Sequence, residues 1–181
     1  GNDGTVLWDV PTDFVPASHN WFPPYQPALA TATNRVYFAG KGGTIYYRTN
    51  PDSATGTVTQ LAFYGTLTDY LNNKTTYDST VFVDTPLTAD SQGNIFFGFR
   101  ITGANPANLV NGIARISAAG VGSWVSAQTA ANGDTNISLT ARNSAPALSN
   151  DQSKVYFGVR ALSTSSYGRL VALSTTNLAT Q

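Results

Sequence analysis

Apolar positions along this chain fall in short runs bounded by Gly, Asn, Asp, Ser and Pro, a pattern that predicts strands joined by turns. The runs recur in a fixed order. The first set reads Gln26-Pro27-Ala28-Leu29-Ala30, a turn at Thr33-Asn34, then Arg35-Val36-Tyr37-Phe38-Ala39-Gly40. The second reads Thr85-Pro86-Leu87-Thr88-Ala89, a turn at Asp90-Ser91-Gln92-Gly93, then Asn94-Ile95-Phe96-Phe97-Gly98. The third reads Ala145-Pro146-Ala147-Leu148-Ser149, a turn at Asn150-Asp151-Gln152-Ser153, then Lys154-Val155-Tyr156-Phe157-Gly158.

Pro27, Pro86 and Pro146 stand 59 and 60 residues apart, and Val36, Ile95 and Val155 keep the same spacing. A third strand follows in each unit, opened by a glycine: Gly43 to Tyr47, Gly112 to Ile116 and Gly168 to Leu173. A fourth follows at Val58 to Tyr64 and at Val121 to Ala127, while the third unit reaches Gln181 before a fourth strand appears. Gly4-Thr5-Val6-Leu7-Trp8-Asp9-Val10 stands before Pro27 much as Gly120 to Val125 stands before Pro146, so residues 4–10 read as the last strand of a unit, with Trp8 matching Trp124. The repeats run approximately over residues 26–84, 85–144 and 145–181.

Four short strands per repeat predict an all-β chain of β-propeller type, with about three four-stranded blades. One blade cannot bury both of its faces, so such units occur in arrays. The order Pro-Ala-Leu, Asp/Asn-rich turn, Val-Tyr-Phe-Gly, then Gly-Arg-Leu-Val-Ala-Leu-Ser, resembles the repeats of the quinoprotein-like (PQQ-type) β-propeller superfamily, most closely over Ala145 to Thr176. That resemblance implies six to eight blades, so three imply a portion of a larger propeller or a subunit that completes one with other copies or with the rest of a longer chain. The superfamily contains cofactor-binding dehydrogenases and also non-catalytic scaffolds of the bacterial envelope, so the fold leaves function open.

Composition agrees with strands over helices. The 181 residues hold only 11% charged side chains, their acidic residues are all Asp, and Thr, Ser, Asn, Gly, Val, Tyr and Phe dominate. Net charge is zero with scattered Lys and Arg, which argues against nucleic-acid partners; no apolar run is long enough for a membrane span. Gly1 and the absence of Met point to a processed chain or a piece of a longer one. Low charge, abundant Thr, Ser and Asn, and the sequons at Asn73 and Asn136 point to an extracellular or cell-envelope location.

In a propeller, the segments that join middle strands and the segments that join successive blades share one end. Candidate binding residues are sought there. Lys41, Arg100 and Arg160 each stand three residues after the aligned Phe38, Phe97 and Phe157, so every repeat places a cation at that position. Repeated basic residues would favour an anion such as a uronate or a phosphate. The segment Ser18 to Tyr25 holds the only histidine, His19, with Trp21, Phe22 and Tyr25, a set suited to sugar stacking or a protein contact. His19 is the one candidate general base.

No G-x-S-x-G, H-E-x-x-H, phosphate-binding glycine loop or EF-hand spacing is present. Asp84, Asp90, Asp134 and Asp151 lie in or near turns, where carboxylates commonly accept from backbone amides. No cofactor is expected. PQQ with calcium is the alternative that the family resemblance implies, and no Asp here matches its catalytic base. The expected function is a non-enzymatic binding or structural module for a glycan or protein partner; the competing expectation is a quinoprotein-type dehydrogenase or a polysaccharide lyase using His19.

Overall fold

The computed structural model describes residues 3–18, 26–162 and 167–181. The chain is all-β in class, with thirteen strands in three antiparallel sheets and three short helices among the described residues. The first sheet is a meander of β1 (Ala28–Ala30), β2 (Arg35–Ala39), β3 (Thr44–Thr49) and β4 (Val58–Ala62). The central sheet has β5 (Val81–Val83) and β6 (Thr88–Ala89) side by side on β7 (Ile95–Ile101), then β8 (Gly112–Ile116) and β9 (Gly122–Ser126). The third sheet places β10 (Leu139–Thr140) and β11 (Ala147–Leu148) on β12 (Lys154–Arg160), with β13 (Gly168–Ser174) beyond.

The three sheets share one register. Ala28 pairs with Tyr37, Thr88 with Phe96 and Ala147 with Tyr156; one strand further on, Ala39 pairs with Ile45, Gly98 with Ile113 and Gly158 with Leu170. Thr180 bridges Leu173 at the place where Gly122 meets Ile116 and Val58 meets Arg48. In the central and third sheets the strand before β7 or β12 is interrupted, and the proline sits in the break, where its missing N–H leaves no ladder bond unmade. Asp84 N–H and Ala141 N–H still reach the carbonyls of Gly98 and Gly158. Gly98 must be glycine here: a Cβ would lie 2.7 Å from Thr140 Oγ1 and 2.7 Å from Thr85 Cγ2.

Side chains alternate across a strand, so each sheet has two faces. Ile95, Phe97 and Phe99 of β7 pack with Tyr37, Ala39 and Ile45 of the first sheet in one core. Phe96 of β7 and Ile113 of β8, on the opposite face, pack with Val155, Phe157, Val159, Val171 and Leu173 of the third sheet in a second core. The stacking is therefore head to tail: the Tyr37 face of the first sheet meets the Phe97 face of the central one, and the Phe96 face of the central sheet meets the Phe157 face of the third. Phe63, just after β4, wedges into the first seam with its ring centroid 5.5 Å from Phe97 and 4.5 Å from Phe99.

Three sequence expectations change, and two helices lie where the sequence predicts no strand. Residues 4–10 form no strand; Trp8 instead donates its indole N–H to the Pro51 carbonyl at 2.6 Å and lies 4.4 Å from the Arg48 guanidinium, which holds the segment against a face of the first sheet. The stretch 65–84 is helical in part, as α1 (Leu67–Asn72) and α2 (Lys74–Thr80). Thr66 and Asp69 close a capping box at its start, and Tyr70 and Tyr77, seven residues apart, bury on one side. A third helix, α3 (Ala127–Ala130), follows β9 directly and takes in Ala127, which the sequence places at the end of a strand. In the second repeat the first strand slips by one residue, so that Thr88 and not Leu87 pairs with Phe96, because the turn through Gly93 (φ 86°) is tighter than those through Asn34 and Gln152.

Candidate functional site

In each meander the joins alternate between two ends. At one end lie the tight turns 31–34, 90–93 and 150–153; at the other lie the longer segments 63–80, 102–111 and 127–138, with Ala161, Tyr167 and the turn at 40–43. The two ends are built differently. At the tight-turn end Arg35 donates to the Ala118 carbonyl at 3.1 Å, and Ser91 N–H donates to Gln152 Oε1 at 2.5 Å, so the turns are tied sheet to sheet. Candidate chemistry lies at the opposite end.

Lys41 follows β2 and caps the first seam. Its backbone N–H donates to Asp13 Oδ1 at 3.0 Å, and its ammonium lies 3.9 Å from Asp78 Oδ2 on α2. Lys74, one helical turn before Asp78, reaches the same oxygen at 2.5 Å and donates to the Tyr70 hydroxyl at 2.9 Å. Tyr70 in turn donates to Asp78 Oδ1 at 2.8 Å, and Tyr64 donates to the Gly42 carbonyl at 2.8 Å. Burial raises the Tyr70 and Tyr64 phenols above their ordinary value, and hydrogen bonds to Asp78 and Tyr70 raise the Lys74 ammonium. Burial, with Asp13 nearby, pushes Tyr46 up to about 12. The cluster thus sets phenol donors beside two lysines and the aspartates that face them.

Arg100, next to last in β7, and Arg160, last in β12, hold matching positions, Arg100 opposite Phe82 and Arg160 opposite Leu139. By alternation Arg100 shares the face of Phe96 and so stands at the second seam, while Arg160 shares the outward face of the third sheet. Arg160 donates to the Ala161 carbonyl at 3.0 Å. Lys41, Arg100 and Arg160 therefore occupy the same strand end in three successive sheets, and no bond joins any two of them among the described residues. Face-to-face sheets are about 10 Å apart, a spacing that suits successive charges along a chain.

Two further ion pairs went unseen in the sequence. Arg142 Nε lies 3.2 Å from Asp84 Oδ1, with the side chains only 10% and 8% exposed, and ties the segment after β10 to the segment after β5. Asp134 accepts from the Tyr167 hydroxyl at 2.7 Å and from Arg169 at 2.7 Å; the tyrosine bond first, then bonds from Asn136, hold its carboxyl down at about 2. Of the ion pairs only Lys74 to Asp78 carries a local sequence signal; Lys41 to Asp78, Arg142 to Asp84 and Arg169 to Asp134 join residues far apart in the chain.

His19, Trp21 and Tyr25 lie outside the described residues. Both sequon asparagines, Asn73 and Asn136, are exposed. Beside the outer strands, a groove of about 690 Å³ runs between β4 and β9, lined by Leu61, Tyr64, Leu67, Val121 and Trp124. Gly122 is needed on its wall, because a Cβ there would lie 2.2 Å from the Phe63 carbonyl oxygen.

The turn carboxylates do not converge on a common point. Asp90 accepts from Gln92 N–H, Asn94 N–H and the Asn94 amide; Asp151 accepts from Ser153 N–H and from the hydroxyls of Ser149 and Ser153. Asp84 faces Arg142 and Asp134 faces Arg169. Among the described residues no three His or Asp side chains group as metal ligands. No helix among the described residues is long and apolar enough to cross a membrane. No family model, curated protein or solved structure matches the chain.

Proposed function

We propose that this chain is a non-enzymatic module of a secreted or envelope β-propeller, and that it binds an extended acidic glycan along the end where the long inter-strand segments gather. One observation supports the reading above others: a basic residue stands at the same end of three successive sheets, as Arg100 and Arg160 in matching ladder positions and as Lys41 in the turn just after β2. A row of cations one sheet apart suits a polymer with regularly placed carboxylates better than it suits a single small anion. Lys41 shares Asp78 with Lys74, so the two arginines carry most of the uncompensated attraction.

The test is titration of the 181-residue chain with oligouronates and with neutral oligosaccharides of equal length, by calorimetry at two salt concentrations. The acidic series binds, and binding weakens with salt. Charge-assisted hydrogen bonds are worth about 1.5–3 kcal/mol each, so Arg100→Ala with Arg160→Ala weakens binding by at least tenfold. Equal affinity for neutral and acidic oligosaccharides, or an unaffected double variant, sinks the reading.

A further inference from the structure

The two internal seams use one pair of faces, and the chain carries an unmatched copy of each. On the face that each sheet turns toward its successor, the shared register lines up Tyr37, Phe96 and Tyr156, then Ala39, Gly98 and Gly158, then Ile45, Ile113 and Leu170. Ile45 and Ile113 are fully buried, whereas Leu170 is 77% exposed. The third sheet thus presents an aromatic, a glycine and a branched aliphatic side chain in the arrangement that is sealed twice elsewhere in the same molecule.

The receiving face shows the same relation. Leu29, Ala89 and Leu148 match one another, as do Val36, Ile95 and Val155, and Phe38, Phe97 and Phe157. In the central and third sheets this face is sealed, with Ile95, Phe97 and Val155 fully buried. In the first sheet Phe38 is buried and Val36 half-buried at the matching places, while at the margin Leu29 is 54% exposed, where Ala89 and Leu148 are half-buried, and Val58, on the same face of β4, is 44% exposed. The segment from Trp8 to Asp13 crosses this face by way of Arg48 and Tyr46, on β3, and leaves Leu29 and Val58 open.

We propose that a second copy of this chain occupies the outer face of the third sheet, docking the front face of its own first sheet against Leu170, Tyr156 and Gly158. The occupant is a second copy because both halves of the missing seam lie on one chain, which makes the contact heterologous and repeatable. Two copies joined at both seams bring six sheets together, inside the four to eight of known propellers, whereas three copies exceed that range. The number of copies rests on the propeller reading above; the docking itself rests on the register of Leu170 with Ile45 and Ile113. Docking displaces the Trp8 to Asp13 segment from its present place.

Sedimentation velocity of the 181-residue chain from low to high micromolar concentration tests this, with Leu170→Asp and, as a control, Leu71→Asp on the exposed side of α1. The expected result is a concentration-dependent species of twice the 19.1 kDa chain mass, abolished by Leu170→Asp, kept by Leu71→Asp, with unchanged circular dichroism in both variants. A chain that stays monomeric throughout, or a dimer indifferent to Leu170→Asp, overturns the proposal and leaves the glycan titration unaffected. Open-ended oligomers that depend on Leu170 overturn the two-copy ring and the propeller reading together.

Discussion

Phe96 and Phe97 are adjacent in β7, yet their side chains belong to different cores, and this makes a sharp test of the stacked arrangement. Each ring is fully buried, Phe97 against Phe63 in the first seam and Phe96 among Ile113, Val155 and Phe157 in the second. Truncating a buried phenylalanine to alanine costs about 3–5 kcal/mol, from lost transfer free energy and the cavity left behind. Phe96→Ala and Phe97→Ala should each lower stability by that amount. Taking a urea slope of about 2 kcal/mol/M, the midpoint falls by about 1.5–2.5 M in each case. The rings lie in separate cores, so the costs sum to about 6–10 kcal/mol in the double variant, and any departure from the sum measures coupling through their shared backbone. A domain holds only about 5–15 kcal/mol in total, so the double variant sits at the edge of unfolding in water. Urea titrations followed by tryptophan fluorescence and circular dichroism supply the numbers. A single variant that costs less than about 1 kcal/mol would show that its side of the central sheet faces solvent, and the head-to-tail stacking would be wrong.

Two other outcomes follow from the ion pairs. Arg142→Met leaves the Asp84 carboxylate without its cation in a nearly closed seam and should cost about 3–5 kcal/mol, read as a lower urea midpoint; adding Asp84→Asn should recover part of the loss, and failure to recover any would mean the pair is not the cause. The Asp134 and Asp151 carboxyls titrate at about 2 in the fold, below the ordinary value near 4, so they stabilise the native state above about pH 4 and lose that contribution as pH falls toward 2. The urea midpoint should drop across that window, and Asp134→Asn with Asp151→Asn should flatten the drop; an unchanged slope would refute the assignment.

Strand content was legible because the chain repeats itself. Phe38, Phe97 and Phe157 align in the sequence and occupy matching positions in β2, β7 and β12. The one-residue slip at Thr88 was hidden, since Pro86 and Ile95 keep their spacing while the tighter turn at Gly93 changes which residue pairs. The helices after Gly65 were missed for a different reason: Thr and Ser dominate the stretch, so propensity argues against a helix, and only the Thr66 to Asp69 cap and the burial of Tyr70 and Tyr77 override it. Of the site, the cation at each repeat could be read by position alone. The partners of Lys41 could not, because Asp78 and Asp13 are brought to it by tertiary packing, far from any local pattern.

The ties at the tight-turn end, from Arg35 to Ala118 and from Ser91 to Gln152, bear on how this chain could diversify or be re-engineered. A residue inserted at 90–93 would pull one sheet out of step with both neighbours at once. An insertion in 102–111 bridges only β7 and β8 at the opposite end, where lengths already differ from sheet to sheet. One end of the molecule behaves as a fixed spine and the other as a display surface, so new specificity can be grafted onto 102–111 without renegotiating the stack beneath it.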